Sequence, residues 1–120
     1  MNNVTFEIET QNDQTSFLPG QTLSGTVRWM CSELPDDASL HLIWYTEGRG
    51  DEDVGLAEKC EFENPQISDE HPFRFQLPAG PYSFSGSLIS LIWALELKVD
   101  KEVVRKEIVL SPGEKEITLR

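Results

Sequence analysis

The chain has 120 residues, 38% of them apolar, with three Trp and six Phe. That length suits one domain and that composition fills a core without staples, which excludes a disordered chain. Ten basic against 21 acidic side chains leave a formal net charge of -11, a surface that repels phosphate backbones and anionic bilayers and argues against nucleic-acid binding and membrane association.

Along the chain the dominant signal is period two, the mark of strands with one face towards a core. Val4, Phe6 and Ile8 alternate with Thr5, Glu7 and Glu9, and Leu23, Gly25, Val27 and Trp29 with Ser24, Thr26 and Arg28. Leu40, Leu42 and Trp44 then alternate with a softer face of His41, Ile43 and Tyr45. Leu56, Cys60 and Phe62 share one parity against Lys59, Glu61 and Glu63, with Glu58 breaking that face. Phe73, Phe75 and Leu77 alternate with Arg74 and Gln76. Residues 87–98 also fit a helical face through Leu88, Leu91, Ile92 and Leu95, but the longer row Ile89, Leu91, Trp93, Leu95, Leu97, Val99 predicts a central strand. Val104, Ile108 and Leu110, then Ile117 and Leu119, close the series.

Turn signals separate these segments: Pro19-Gly20, Pro35-Asp36-Asp37, Gly48-Arg49-Gly50-Asp51, Asn64-Pro65, Pro78-Ala79-Gly80-Pro81 and Pro112-Gly113. Pro fixes φ and Gly accepts positive φ, so each reverses the chain, and short strands divided this way indicate a sandwich or barrel. No repeat or linker divides residues 1–120, which are expected to be one domain. The opening Met-Asn-Asn has no basic segment ahead of an apolar run, and the most apolar stretch, Leu88 to Leu95, is too short to cross a bilayer. Cys31 and Cys60 form no ligand pattern, and without an export signal they are expected to be reduced, giving a cytoplasmic address.

Two motifs carry a resemblance. Phe17-Leu18-Pro19-Gly20-Gln21 followed by Leu23-Ser24-Gly25-Thr26-Val27 resembles the PGxxLxGxV lead into the second strand of arrestin-like domains. Pro81-Tyr82-Ser83-Phe84 and Gly86, leading into the strand that ends Ile92-Trp93-Ala94-Leu95-Glu96-Leu97, resembles the family's Pro-x-Ser-x-x-Gly turn before a long strand. The chain is most similar in this respect to short bacterial arrestin-like proteins and to the Spo0M-like and Vps26-like branches. The resemblance implies an all-β fold, a single immunoglobulin-like antiparallel sandwich of about 7–8 strands, and a role as adaptor or scaffold. Classical members carry two sandwiches in tandem, for which this chain lacks the length. Those that read phosphorylated tails use clustered Lys and Arg, which are missing here, so that binding is not carried over.

For function, the loop Thr46–Asp53 has mobile glycines and a charged tip, and Arg49, Asp51, Glu52 and Asp53 are the candidate partner-binding residues. Arg49-Gly50-Asp51 spells an integrin tripeptide, which a chain without an export signal matches by chance. Asp51, Glu52 and Asp53 lack the spacing of an EF-hand loop, and neither metal nor cofactor is expected. His41 is expected on the softer face of its strand and His71, before Pro72, at an exposed strand opening. Cys60 and Cys31 read as core residues, and Trp29, Trp44 and Trp93 all fall on inward parities. With no nucleophile elbow or phosphate loop, the expectation is a non-catalytic module that binds another protein, or itself, through an edge strand such as Val4–Thr10 or Glu114–Arg120. Alternatives are a small-ligand, sugar or Ca-binding sandwich with Tyr45, Tyr82 and Phe84 as stacking surfaces, and more remotely a hydrolase.

Overall fold

The alternating segments become strands in the computed structural model, which describes residues 2–50, 52–113 and 116–119. They are β1 (Val4–Thr10), β2 (Ser16–Phe17), β3 (Thr22–Cys31), β4 (Ala38–Gly48), β5 (Val54–Phe62), β6 (Ser68–Gln76), β7 (Phe84–Ser85), β8 (Ile89–Val99), β9 (Glu102–Leu110) and β10 (Ile117–Thr118). A single 3-10 turn, Gln11–Asp13, follows β1. β2 and β7 add to the segments read from the sequence, because two residues are too few to show a period. Residues 89–99 form a strand and not a helix, as their unbroken alternation requires.

Two sheets pack face to face. The smaller has the order β1-β3-β6, all antiparallel. The larger runs β10-β7-β8-β4-β5, with β9 also on β8 and β2 on β9. The expected all-β sandwich is therefore present, and it carries two short parallel pairings, β2 with β9 and β7 with β10. Leu23, Val27, Trp29, Phe73 and Phe75 of the small sheet meet Leu40, Leu42, Trp93, Leu95, Leu97 and Val99 of the large one. Each such side chain contributes roughly 1.5–3 kcal/mol by leaving water. The opposed residues Trp44–Trp93, Leu42–Leu95 and Leu40–Leu97 line the centre of the large sheet's inner face.

The motif residues act on the backbone. Gln21 N–H donates to the Leu18 carbonyl at 3.1 Å across a turn in which Gly20 has φ 79, a type II arrangement that needs Gly after Pro19. A Cβ on Gly25 would run into the Glu9 carbonyl oxygen of β1 and stand 2.9 Å from the Phe73 ring, so both close approaches need glycine there. Ser83, 1% exposed, has its hydroxyl accept from Leu110 N–H at 3.0 Å while its own N–H donates to Leu110 O at 2.8 Å. The hallmark serine thus ties the turn before β8 to the end of β9.

Two expectations are corrected. His71 does not open a strand at the surface: β6 begins at Ser68, and His71 falls on the inward row with Phe73, half-buried and stacked on Phe62 (4.7 Å) and Trp29 (5.4 Å). Leu56 does not share the inward face of Cys60 and Phe62. The β4–β5 register shifts between Leu42 and Ile43, so Glu58 opposes Leu42 but Leu56 opposes Ile43, with Ala57 as the extra residue. A bulge of this kind flips the parity of everything before it, and Leu56 is left 56% exposed. Trp44 lies on the inward parity expected of it, opposite Trp93, and is less buried than Trp29 and Trp93. Among the described residues no helix is long and apolar enough to cross a membrane.

Candidate functional site

The hairpin that joins β4 to β5 has a firm base and a free tip. Thr46 N–H donates to Asp53 O at 3.0 Å, and Asp53 N–H donates to Thr46 Oγ1 at 2.9 Å. Arg49 N–H is held by Leu88 O at 2.9 Å. With the backbone anchored in this way, the side chains of Arg49, Glu52 and Asp53 all point to solvent. Asp51, the fourth candidate, lies outside the described residues.

Beside this loop the structure places an apolar surface that the sequence did not reveal. The bulge turns Val54 and Leu56 onto the outer face of the large sheet, where Val54 opposes Tyr45 and Leu56 opposes Ile43. Ile92 and Ala94 continue the same rows on β8. Ile43 and Ala94 are buried, whereas Val54 and Leu56 are 68% and 56% exposed. The Arg105 guanidinium lies 4.8 Å from the centre of the Tyr45 ring, with Nε donating to Glu96 at 2.8 Å. Burial, then the charges of Glu107 and Glu47, push the Tyr45 hydroxyl above its ordinary range. On the inner side, the Trp44 indole occupies the space where a Cβ on Gly55 would stand, so the glycine is what lets the ring lie across β5.

β5 is an edge: among the described residues it pairs with β4 alone. Residues 47–63, from the hairpin through β5, contain seven acidic and two basic residues. At the end of β5, Glu61, Phe62 and the following Glu63 line a cleft of about 490 Å³ together with Asp36 and Asp37. The signal for this arrangement was legible as Glu58 on the parity of Leu56 and Cys60, a break that a bulge resolves. The edge expected at Val4–Thr10 is also real, since β1 ends the small sheet, and among the described residues Ile117–Thr118 of the other expected edge pairs only with β7. Glu114, Lys115 and Arg120 lie outside the described residues.

The nucleophile and base candidates are engaged elsewhere. His71 Nε2 lies 3.1 Å from Asp69 Oδ2, between the two aromatic rings. Burial alone would raise the Asp69 carboxyl, but the hydrogen bond from Gln66 N–H and the adjacent His71 imidazole outweigh it and hold the group below its ordinary range. His41 Nδ1 is 3.8 Å from Glu96. Cys31 is 7% exposed, and burial, then the charge of Asp100, raise its thiol pKa, the reverse of nucleophile activation. Cys60 is half-buried and not fully enclosed. Among the described residues no three His, Cys, Asp or Glu side chains cluster as metal ligands.

A groove of about 990 Å³ lies away from the place near Tyr45, Tyr82 and Phe84 where a ligand pocket was expected. It runs over the small sheet and is lined by Gln11, Asn12, Gln14, Thr22, Ser24 and Arg74, among others.

No protein-family model and no curated protein matches this chain. Among solved structures it is similar to Spo0M, the sporulation control protein of Bacillus subtilis, with 16% identity and a TM-score of 0.59 over 92% of this chain. The chain spans about half of that protein, 49% of its length. At this identity the likeness is one of fold, and it is the fold that the two sequence motifs implied. A second chain, the ApaA protein of Bordetella pertussis, is 15% identical over 91% of this chain and 89% of its own, with a TM-score of 0.24 that carries no argument.

Proposed function

We propose that residues 1–120 form a single, non-catalytic protein-interaction module of arrestin-like type, a cytoplasmic adaptor or scaffold that engages its partner through β5 and the loop before it. The observation that carries this reading is the unpaired β5 edge, with Val54 and Leu56 exposed directly after the charged tip. An open edge offers backbone donors and acceptors to an incoming chain, and apolar side chains beside it add affinity. The engagement of both histidines and the burial of Cys31 favour binding over catalysis. The free state of both cysteines accords with a reducing compartment. A regulatory role is in keeping with the structural likeness to a sporulation control protein.

Affinity capture with the tagged chain tests the reading against two variants, Val54→Ser/Leu56→Ser and Arg49→Ala/Asp51→Ala/Asp53→Ala. The expected result is a protein retained by the native chain, lost by the first variant and weakened by the second. Retention of nothing above background, or of the same proteins by all three, would sink it.

The polar groove over the small sheet supports a second reading, a site for a sugar or another small hydroxylated ligand. Binding to the native state must raise the thermal midpoint, so a flat response across a sugar panel would remove this alternative.

A further inference from the structure

Four sheet edges could accept a strand, and the structure distinguishes among them. β6 carries Pro72 in its middle, which has no N–H to offer. β1 presents Glu7 and Glu9, but both are bound by Arg28, at 3.5 and 2.8 Å. On the far side of the large sheet, β2, β7 and β10 already occupy the flank of β8 and β9. β5 is left open, nine residues long and exposed over most of its length.

The chemistry around β5 specifies what would lie there. An added strand places alternate side chains on opposite faces of the sheet. On the outer face those near the hairpin would meet Val54 and Leu56, which favours apolar residues. On the inner face Gly55 offers no side chain and leaves the Trp44 indole as the contact. Farther along, Glu58 on the inner face and Glu61 on the outer flank the edge, and Lys59, on the outer face, stands 3.2 Å from Glu61. The acidic hairpin at one end and the Asp36, Asp37, Glu61, Glu63 cleft at the other extend the same sign over the whole length. A second copy of the chain is a poor occupant, because it brings the same acidic edge and a net charge of -11.

We propose that β5 accepts an extended, basic segment of another protein as an added strand, with Lys or Arg alternating with apolar residues. This deepens the adaptor reading and rests on it. Apolar positions would sit over Val54 and Leu56 on the outer face, and the alternate cations would lie on the inner face, over the Trp44 indole and beside Glu58, with the acidic groups at either end adding to the attraction.

The test displays to the immobilised chain a library of nonapeptides with valine at alternate positions and lysine, serine or glutamate between. Lysine-rich members should be selected, and their binding should slow amide hydrogen exchange in β5. Affinity should fall at least about tenfold in Glu58→Lys/Glu61→Lys, a variant of two exposed positions whose unfolding midpoint is checked alongside. Selection of glutamate-rich peptides, no selection, or protection of β1 or β6 in place of β5 would overturn the proposal. So would self-association of the chain with protection of β5 in the absence of peptide. A protein captured from lysate that still binds Glu58→Lys/Glu61→Lys would defeat the basic strand and leave the adaptor reading standing. Capture of nothing would defeat the adaptor reading itself.

Discussion

The two outer faces of the sandwich are built on opposite terms. On the small sheet, Arg28 stands at the centre of three strands and is shared by Glu7, Glu9 and Glu70, the last at 3.0 Å, with hydroxyls and amides around it. On the large sheet, half of the outer face is also charged, with Arg105 and His41 on Glu96. The other half, Ile43, Tyr45, Val54, Leu56, Ile92 and Ala94, is apolar and ends at an open edge. A polar face whose carboxylates share one cation offers an added strand little apolar contact. An apolar half-face beside unpaired backbone has both components of strand addition.

The sharpest way to break this comparison is to place a carboxylate on each face. Ala94→Asp puts a charge at a fully buried position of the large sheet's outer face, and the expected loss in urea denaturation is about 3 kcal/mol or more. Thr22→Asp on the small sheet's exposed outer row should cost within about 1 kcal/mol. Equal costs would mean that the two faces are not different in kind.

A smaller effect concerns the end of the sandwich opposite the hairpin, held by Asp100. Its carboxylate accepts from Asp37 and Asp36 N–H at 3.1 and 2.8 Å, and these bonds, the first above all, hold its pKa below the ordinary range against the opposing effect of burial. A depressed carboxyl stabilises the fold above the unfolded-state pKa, and that contribution is lost as pH falls through the folded-state value. Asp100→Asn should therefore lower stability by about 0.5–1.5 kcal/mol at neutral pH. The two proteins should converge in acid, below the ordinary carboxylate range of about 4. Denaturation midpoints across pH would expose a constant difference, which would count against the charge as the cause.

The smallest effect is at Arg28. Arg28→Gln leaves Glu7, Glu9 and Glu70 facing one another, so the midpoint should drop at low ionic strength. Because the group is exposed, about 1 M salt should erase most of that difference. A drop that persists in salt would mean that Arg28 acts by packing and not by charge.

Much of the fold was legible because a strand is a local pattern. Leu23, Val27 and Trp29, or Leu95, Leu97 and Val99, declare their inward face by spacing alone, and Pro19-Gly20 declares a chain reversal by its backbone requirements. His71 was misplaced because local reading took His-Pro as an opening, whereas pairing with Val27 draws it into the row of Phe73 and Phe75. The loop residues Arg49, Glu52 and Asp53 were found by composition, and their exposure follows from the hairpin. The apolar half-face beside them was missed because it depends on one unpaired residue, Ala57, that reverses the parity of Val54 and Leu56.

By itself, then, the sequence determined the strands, their inward rows, the turns and the sign of the surface, since each follows from side-chain periodicity, backbone dihedrals or charge. Only the tertiary structure decided which strand is left at an edge, which apolar residues remain uncovered, and which acidic groups already have a cation. Those depend on pairings between residues far apart in the chain, and no local pattern encodes them.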